Sequence, residues 1–308
     1  MQTILGANGQ IGTELARTLH NNYTEQVRVV SRSPIKINDN DQVVSADLRN
    51  PIDTLNAIKG SEVVYLTAGL PLNTKMWQEQ WPIIMQNVID ACITEQVKLV
   101  FFDNTYMYPQ TNEPQDETMR FEPSGPKGKV RAQIATMLLE AMHTQRLSAM
   151  ICRAPEFYGP GRTQSITNVT ILEKLKARQR ANVFLRDDTF RTLIFTPDAS
   201  RAMALLGNTE DAYQQTWHLP CDDNRQTYRQ LIKTSEEILG LTSDYRILSQ
   251  WQLKLVGLFN QTIKETIELL PRYSVDNIFL SSKFKERFPD FAVTTYQHGL
   301  EQYFDENI

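Results

Sequence analysis

At 308 residues, with 41% hydrophobic and 22% charged side chains, the chain has the composition of a soluble globular protein: one large domain, or one domain with a smaller lobe. Its net charge of −4 carries no basic nucleic-acid footprint, and no apolar run approaches the roughly 18–20 residues that span a bilayer, so neither a nucleic-acid nor a membrane partner is expected. Cys92, Cys152 and Cys221 are odd in number and lack metal-site spacing, and Met1 leads directly into an apolar strand, so free thiols, no metal, no secretory leader and a cytoplasmic location are expected.

The first predicted strand, 3–5, feeds the turn Gly6-Ala7-Asn8-Gly9-Gln10-Ile11-Gly12, and an amphipathic helix follows over 12–20. This is the strand, glycine turn and helix start of a dinucleotide-binding unit. Gly6 permits the tight turn, Gly9 lets backbone approach a pyrophosphate, and Gly12 allows helix to pack closely on strand. The phosphates would sit on free N–H groups at the helix start, from Asn8 through Gly12. The alternative is an ordinary strand-turn-helix connection.

Further strands are predicted at 27–30, 42–45, 62–66, 98–102 and 149–153, with helices at 51–58, 76–95 and 129–145 between them. Such alternation argues an α/β fold: a Rossmann-type doubly wound parallel sheet with its ligand crevice at the carboxyl ends of the strands. After Gly159 the rhythm changes. A helix at 165–179 precedes short strands near 183–186 and 191–195, a helix at 197–206, a strand at 216–219 and a helix at 228–239. The stretch 250–270 is rich in Trp, Leu and Phe at helical spacing, and 294–305 closes the chain as a helix. Residues 1–160 are thus expected to form the nucleotide-binding domain and 161–308 mainly a smaller substrate lobe. The boundary is soft, with some segments free to return to the first domain.

Several ordered landmarks fall at these strand ends. They are the Gly6/Gly9/Gly12 turn, Asp47-Leu48, Tyr65-Leu66-Thr67-Ala68-Gly69, and Phe101-Phe102-Asp103-Asn104-Thr105-Tyr106-Met107-Tyr108. Three more follow: Arg153-Ala154-Pro155-Glu156-Phe157-Tyr158-Gly159-Pro160-Gly161, Phe195-Thr196-Pro197-Asp198-Ala199-Ser200-Arg201-Ala202, and Trp217-His218-Leu219-Pro220. Together they resemble the extended short-chain dehydrogenase/reductase superfamily in its NAD-dependent epimerase/dehydratase branch. The resemblance implies a nicotinamide dinucleotide with Asp47 and Leu48 beside the adenine and Ala68-Gly69 under the pyrophosphate and ribose. Nucleotide-sugar substrates are implied by the branch alone.

The end of the second strand reads Val29-Val30-Ser31-Arg32-Ser33, without the carboxylate that would hydrogen-bond a ribose 2′-hydroxyl. Arg32 is a planar phosphate donor, Ser31 and Ser33 add hydroxyls, and Lys36 adds charge, which favours NADP over NAD. The bland alternative leaves Arg32 a solvated loop charge.

The superfamily's proton chemistry uses a tyrosine and a lysine four residues later. Aligned through the helix, Lys127 falls at the tyrosine position and Arg131 at the lysine position. Asn104 stands at the usual serine or threonine, with Thr105 beside it, and Glu156 replaces an asparagine that commonly contacts substrate. For Lys127 to act as a base at neutral pH would need a shift of about three units, or roughly 4 kcal/mol. Arg131 cannot lose a proton but could hold the ribose or an anionic substrate. Tyr106, Tyr108 and Tyr158 are phenols near the crevice, although Tyr108 and Tyr158 also suit packing. Thr105, Tyr106 and Lys127 are the catalytic candidates; Glu156 and Tyr158 are the substrate candidates.

The four histidines have no zinc-site spacing, and His218 suits a structural hydrogen bond. Trp77, Trp81 and the 251–270 stripe suit packing, and the stripe could also cover a substrate mouth or an oligomer face, with a homodimer as the possible assembly. Two functions remain open on sequence: an NAD(P)-dependent oxidoreductase or epimerase-like enzyme with an altered proton relay, acting on a small-molecule carbonyl or hydroxyl compound, and an NADP-binding sensor that has lost the chemistry.

Overall fold

A computed structural model of the chain describes residues 1–161 and 165–305. Six strands of the first half, β1 (Gln2–Leu5), β2 (Val27–Ser31), β3 (Gln42–Ser45), β4 (Val63–Leu66), β5 (Lys98–Asp103) and β6 (Ala149–Arg153), lie in one sheet. Short strands β7 (Glu156–Tyr158), β8 (Ala181–Phe184), β9 (Phe190–Arg191) and β10 (Leu193–Phe195) follow, and then β11 (Gln215–His218) returns to the sheet beside β6. The order is β11-β6-β5-β4-β1-β2-β3 with every neighbouring pair parallel. It reverses between β1 and β4, which sets the crevice at their carboxyl ends.

Alternation along each strand divides the core. Ile4, Val29, Tyr65 and Val100 face one side with helices α1 (Gln10–Asn22) and, later in the chain, α6 (Thr196–Gly207). Leu5, Val30, Leu66 and Phe101 face the other side with α2 (Pro51–Ile58), α3 (Thr74–Glu95) and α4 (Pro126–His143). The Asn50 side chain caps α2 by accepting from the backbone N–H groups of Ile52 and Asp53, with Pro51 at the first helical position. Helix α4 begins three residues before its predicted start. Pro126 opens it, and Gly128 is accommodated because a Cβ there would lie 2.5 Å from the Tyr106 carbonyl oxygen.

Much of the second half packs around a third apolar cluster of its own. Between β6 and the lobe helices lie α5 (Glu173–Lys176), preceded by a π turn at Asn168–Leu172 that replaces part of the helix expected at 165–179. Strand β12 (Gln226–Thr227) pairs with β9, and β13 (Tyr245–Leu248) pairs with β8. Helix α7 (Tyr228–Leu239) and the terminal α11 (Tyr296–Phe304) pack on a third cluster around Tyr158, Tyr273, Tyr296 and Leu300. The 250–270 stretch is not one helix. It divides into α8 (Gln250–Gly257), α9 (Gln261–Thr266) and a 3-10 segment, Ile267–Tyr273, because Asn260 caps a new helix through its side-chain oxygen and the Ile263 N–H. Helix α10 (Ser282–Arg287) completes the lobe. Among the described residues no helix is long and apolar enough to cross a membrane. Cys92, Cys152 and Cys221 are buried and free.

Candidate functional site

The glycine turn has the geometry its spacing predicts. Gly6 sits at φ +97°, and a Cβ on it would stand 2.4 Å from the Ala68 Cα, so the loop after β4 crosses directly over the turn. A Cβ on Gly12 would lie 2.7 Å from the Gly6 carbonyl oxygen. Gly69 lies open, with nothing within 4 Å of its Cβ position. No side chain caps α1 at Gly9, and no acid lies in its first turn, so its N–H groups remain available to an anion. The Asn8 side chain fixes the turn to the loop after β2, donating to the Ser33 carbonyl at 2.7 Å and accepting from the Ile35 N–H at 3.3 Å. The Gln10 amide donates to the carbonyls of Gly159 and Pro160, while Ile11 turns into the core. Gln10 therefore ties the mouth of the crevice to the segment that opens the lobe.

At the end of β2, Arg32 is exposed and its guanidinium makes no ion pair or hydrogen bond among the described residues. Ser31 and Ser33 flank it, the Ser31 hydroxyl accepting from the Ser33 N–H. Asp47 is bound by Arg49 Nε at 2.9 and 3.0 Å, and this hydrogen bonding holds its carboxyl at about 2. The Leu48 carbonyl accepts from Asn87. A glycine cradle, an unpaired guanidinium and an arginine-bound carboxylate thus follow the ends of β1, β2 and β3, a donor set that fits a dinucleotide.

The other end is crowded with paired charge. Asn104 folds its side chain onto the Tyr106 N–H at 2.9 Å and so shapes the turn after β5. Thr105 is buried, and its hydroxyl accepts from Arg272 Nη2 at 2.8 Å. The Arg272 guanidinium lies 5.1 Å over the Tyr106 ring, which also stacks on Trp77 with ring centroids 6.1 Å apart. Burial raises the Tyr106 phenol, and the nearby Arg272 offsets this only in part. Thr105 and Tyr106 are thus brought together, with Arg272 as their unforeseen neighbour.

Lys127 is buried at the start of α4. Its ammonium donates to Thr74 Oγ1 at 2.7 Å and to the Glu265 carbonyl at 2.9 Å, and pairs with Glu265 Oε2 at 2.7 Å and Glu268 Oε2 at 3.5 Å. Its three N–H donors thus face four acceptor atoms, two of them carboxylate oxygens, which ties the side chain to the 261–273 segment. Arg131, one turn on, is buried against Asp103 at the end of β5, with Nε at 2.9 Å. Arg153 pairs with the other oxygen of Asp103 at 3.3 Å and donates to the Tyr108 hydroxyl at 2.6 Å. The Tyr108 hydroxyl lies 2.8 Å from His218 Nε2, and His218 Nδ1 lies 2.8 Å from the Leu280 carbonyl. That carbonyl can only accept, so Nδ1 carries the proton and Tyr108 donates to Nε2. Tyr108 and His218 are structural.

Glu156 faces inward in the lobe. Arg191 Nη2 lies 3.0 Å from Oε2, while Thr167, Tyr228 and Tyr273 donate to Oε1 at 2.7, 3.0 and 3.2 Å. Burial works against ionisation here, but Arg191 and the hydroxyls outweigh it and hold the carboxyl below its ordinary range. Tyr158 is buried in the lobe core, stacked on Tyr296 at 5.8 Å. It packs, apart from Thr105 and Tyr106. Arg272, Arg191, Glu265 and Glu268 escaped sequence reasoning. Lys127 and Glu265 are 138 residues apart, and the acids lie inside a stretch whose periodicity reads as apolar.

Comparison with known proteins agrees with this architecture. A UDP-glucuronic acid 4-epimerase from Bacillus cereus, solved with NAD, superposes with a TM-score of 0.80 at 16% identity, covering 99% of this chain and 98% of that one. A Thermus thermophilus UDP-glucose 4-epimerase in complex with NAD gives 0.78 at 16% identity, with 99% and 98% covered. A dTDP-glucose 4,6-dehydratase from Streptomyces venezuelae gives 0.80 at 15% identity, with 100% and 97% covered. A comparison with curated protein sequences returns no match. At these identities the superpositions speak for the fold. Membership rests on the family profile, which matches residues 3–218: the chain belongs to the NAD-dependent epimerase/dehydratase family.

Proposed function

We propose that the protein is a nicotinamide-dinucleotide-dependent oxidoreductase or epimerase-like enzyme with a preference for NADP(H), acting on a small carbonyl or hydroxyl compound. The observation that carries the reading is the Gly6–Gly12 cradle under an uncapped helix start, with the unpaired Arg32 alongside. When bound, the dinucleotide supplies hydride exchange at its nicotinamide ring. Tyr106 is the proton donor in this reading, because burial keeps its phenol neutral and Arg272 and Thr105 fix the group beside it. Lys127 acts by holding the 261–273 segment rather than by moving a proton. Nucleotide sugars are the first substrates to test, since the superposed epimerases and dehydratase are named for them.

A second reading, a cofactor-binding sensor without turnover, draws on the commitment of Lys127 and Arg131 to buried ion pairs. Titration of the purified protein with NADPH and NADH tests the first step, and a carbonyl-substrate screen with the better ligand tests the second. Turnover that falls at least tenfold in Tyr106→Phe supports the enzyme. Tight NADPH binding with no turnover of any substrate favours the sensor, and binding of neither dinucleotide overturns both.

A further inference from the structure

Helix α8 and the turn after it present an outward apolar face. Trp251 is 66% exposed, Leu255 52%, Leu258 75% and Phe259 89%, whereas only Leu253 and Gly257 of the helix turn inward. The Gly257 Cβ position lies 3.1 Å from Ile267 Cδ1, so α8 folds tightly back on α9 and the 3-10 segment, leaving the apolar tip at the hairpin's outer end. With the exposed Val256, five large apolar side chains within nine residues form more than the scattered exposure normal for a surface.

The charge around the tip is one-sided. Between residues 245 and 264 the chain carries Arg246, Lys254 and Lys264, all exposed, and no acid, and the two acids that border the stretch are paired elsewhere, Asp244 with Arg180 and Glu265 with the buried Lys127. An apolar face with Trp, Leu and Phe, on a hairpin whose own charged side chains are Lys254 and Lys264, has the chemistry of a segment that lies in the headgroup region of an anionic bilayer. Such seating needs no membrane-spanning run. A second copy of the chain fits less well, because a two-fold contact through this face would set its cations against each other. We propose that the α8 hairpin docks the protein on an anionic lipid surface.

The test uses the full chain and vesicles of phosphatidylcholine with or without phosphatidylglycerol. Trp77, Trp81 and Trp217 are buried, so a blue shift of tryptophan fluorescence on binding reports Trp251. The expected result is co-sedimentation and a blue shift with phosphatidylglycerol vesicles, both lost in a Leu258→Glu, Phe259→Glu double variant that keeps its melting temperature. A Lys254→Gln, Lys264→Gln variant should bind roughly thirtyfold more weakly, from about 1 kcal/mol per basic residue. No binding, equal binding to both vesicle types, or binding untouched by either variant overturns the proposal. So does a dimer in solution that the double variant abolishes, which would assign the face to a second copy.

Discussion

Lys127 and Glu265 stand 138 residues apart in the chain and 2.7 Å apart in space, and their pairing fastens the α9 and 3-10 segment to the first turn of α4. Glu268 accepts from the Lys127 backbone N–H at 2.9 Å, and the Gln110 amide donates to the Glu268 carbonyl at 3.1 Å. The Gln110 side chain also accepts from the Arg272 N–H at 3.1 Å, so the position of Arg272 over Tyr106 depends on the same fastening.

Lys127→Met should therefore loosen that segment. Removing one partner of a buried pair leaves carboxylates without their cation and costs about 3–5 kcal/mol. Denaturant unfolding reads the loss, and amide hydrogen exchange should rise across residues 261–273 while β1 and β4 stay protected. Lys127→Arg should recover part of it. Unchanged exchange in the methionine variant would refute the fastening.

His218 gives a pH dependence of known sign. Burial first, and Arg153 second, push its imidazole down to about 3, against about 6.5 when unfolded. The unfolded chain thus binds a proton that the native ring refuses. Its contribution to stability is complete above about pH 6.5 and declines as pH falls towards 3. The decline approaches about 1.4 kcal/mol per pH unit inside that window. Between pH 5 and 6.5 few carboxylates titrate, so the slope of unfolding free energy against pH there should flatten in His218→Gln. An identical slope in the variant would rule this out.

How much of this was legible in the sequence depended on the range of each interaction. The glycine turn and the alternation of strands and helices are local and speak through spacing, and the sheet follows them closely. The return of β11 to the sheet edge is long-range, and a lone four-residue strand carries no mark of its partner. Lys127, Arg131 and Glu156 were readable as departures from a pattern. Their partners were not: Glu265, Asp103 and Arg191 are chosen by packing, and an ion pair between distant elements leaves no periodicity. In the same way, the 250–270 stretch shows its apolar content but conceals that its acids face inward and several of its largest apolar groups face outward.

Asp103 carries a burden out of proportion to its size. One buried carboxylate balances Arg131 and Arg153, which otherwise rest on aromatic faces, Trp81 at 4.9 Å and Tyr108 at 5.0 Å. Asp103→Asn keeps the shape and removes the charge, leaving two desolvated guanidinium groups without a counter-ion. A loss of about 3–5 kcal/mol is expected in chemical denaturation. Substituting Arg131→Met together with Asp103→Asn should be less harmful than the sum of the two single changes, since the residues share one network. Strict additivity would mean that the pairing contributes nothing.

Arg32 offers the sharpest test of the cofactor assignment because nothing in the fold depends on it. Its side chain is exposed and makes no ion pair among the described residues, so Arg32→Glu should leave the melting temperature nearly unchanged. In the cofactor the change is severe: a bidentate phosphate donor becomes a carboxylate that repels a 2′-phosphate and can accept from a 2′-hydroxyl. Hydrogen bonds to charged groups contribute about 1.5–3 kcal/mol, so NADPH affinity should fall roughly ten- to a hundredfold while NADH affinity holds or improves. Fluorescence titration of the wild-type protein and the variant with both cofactors measures this directly. Equal losses for the two would mean that Arg32 contacts the shared diphosphate, and no loss for either would return it to the solvent.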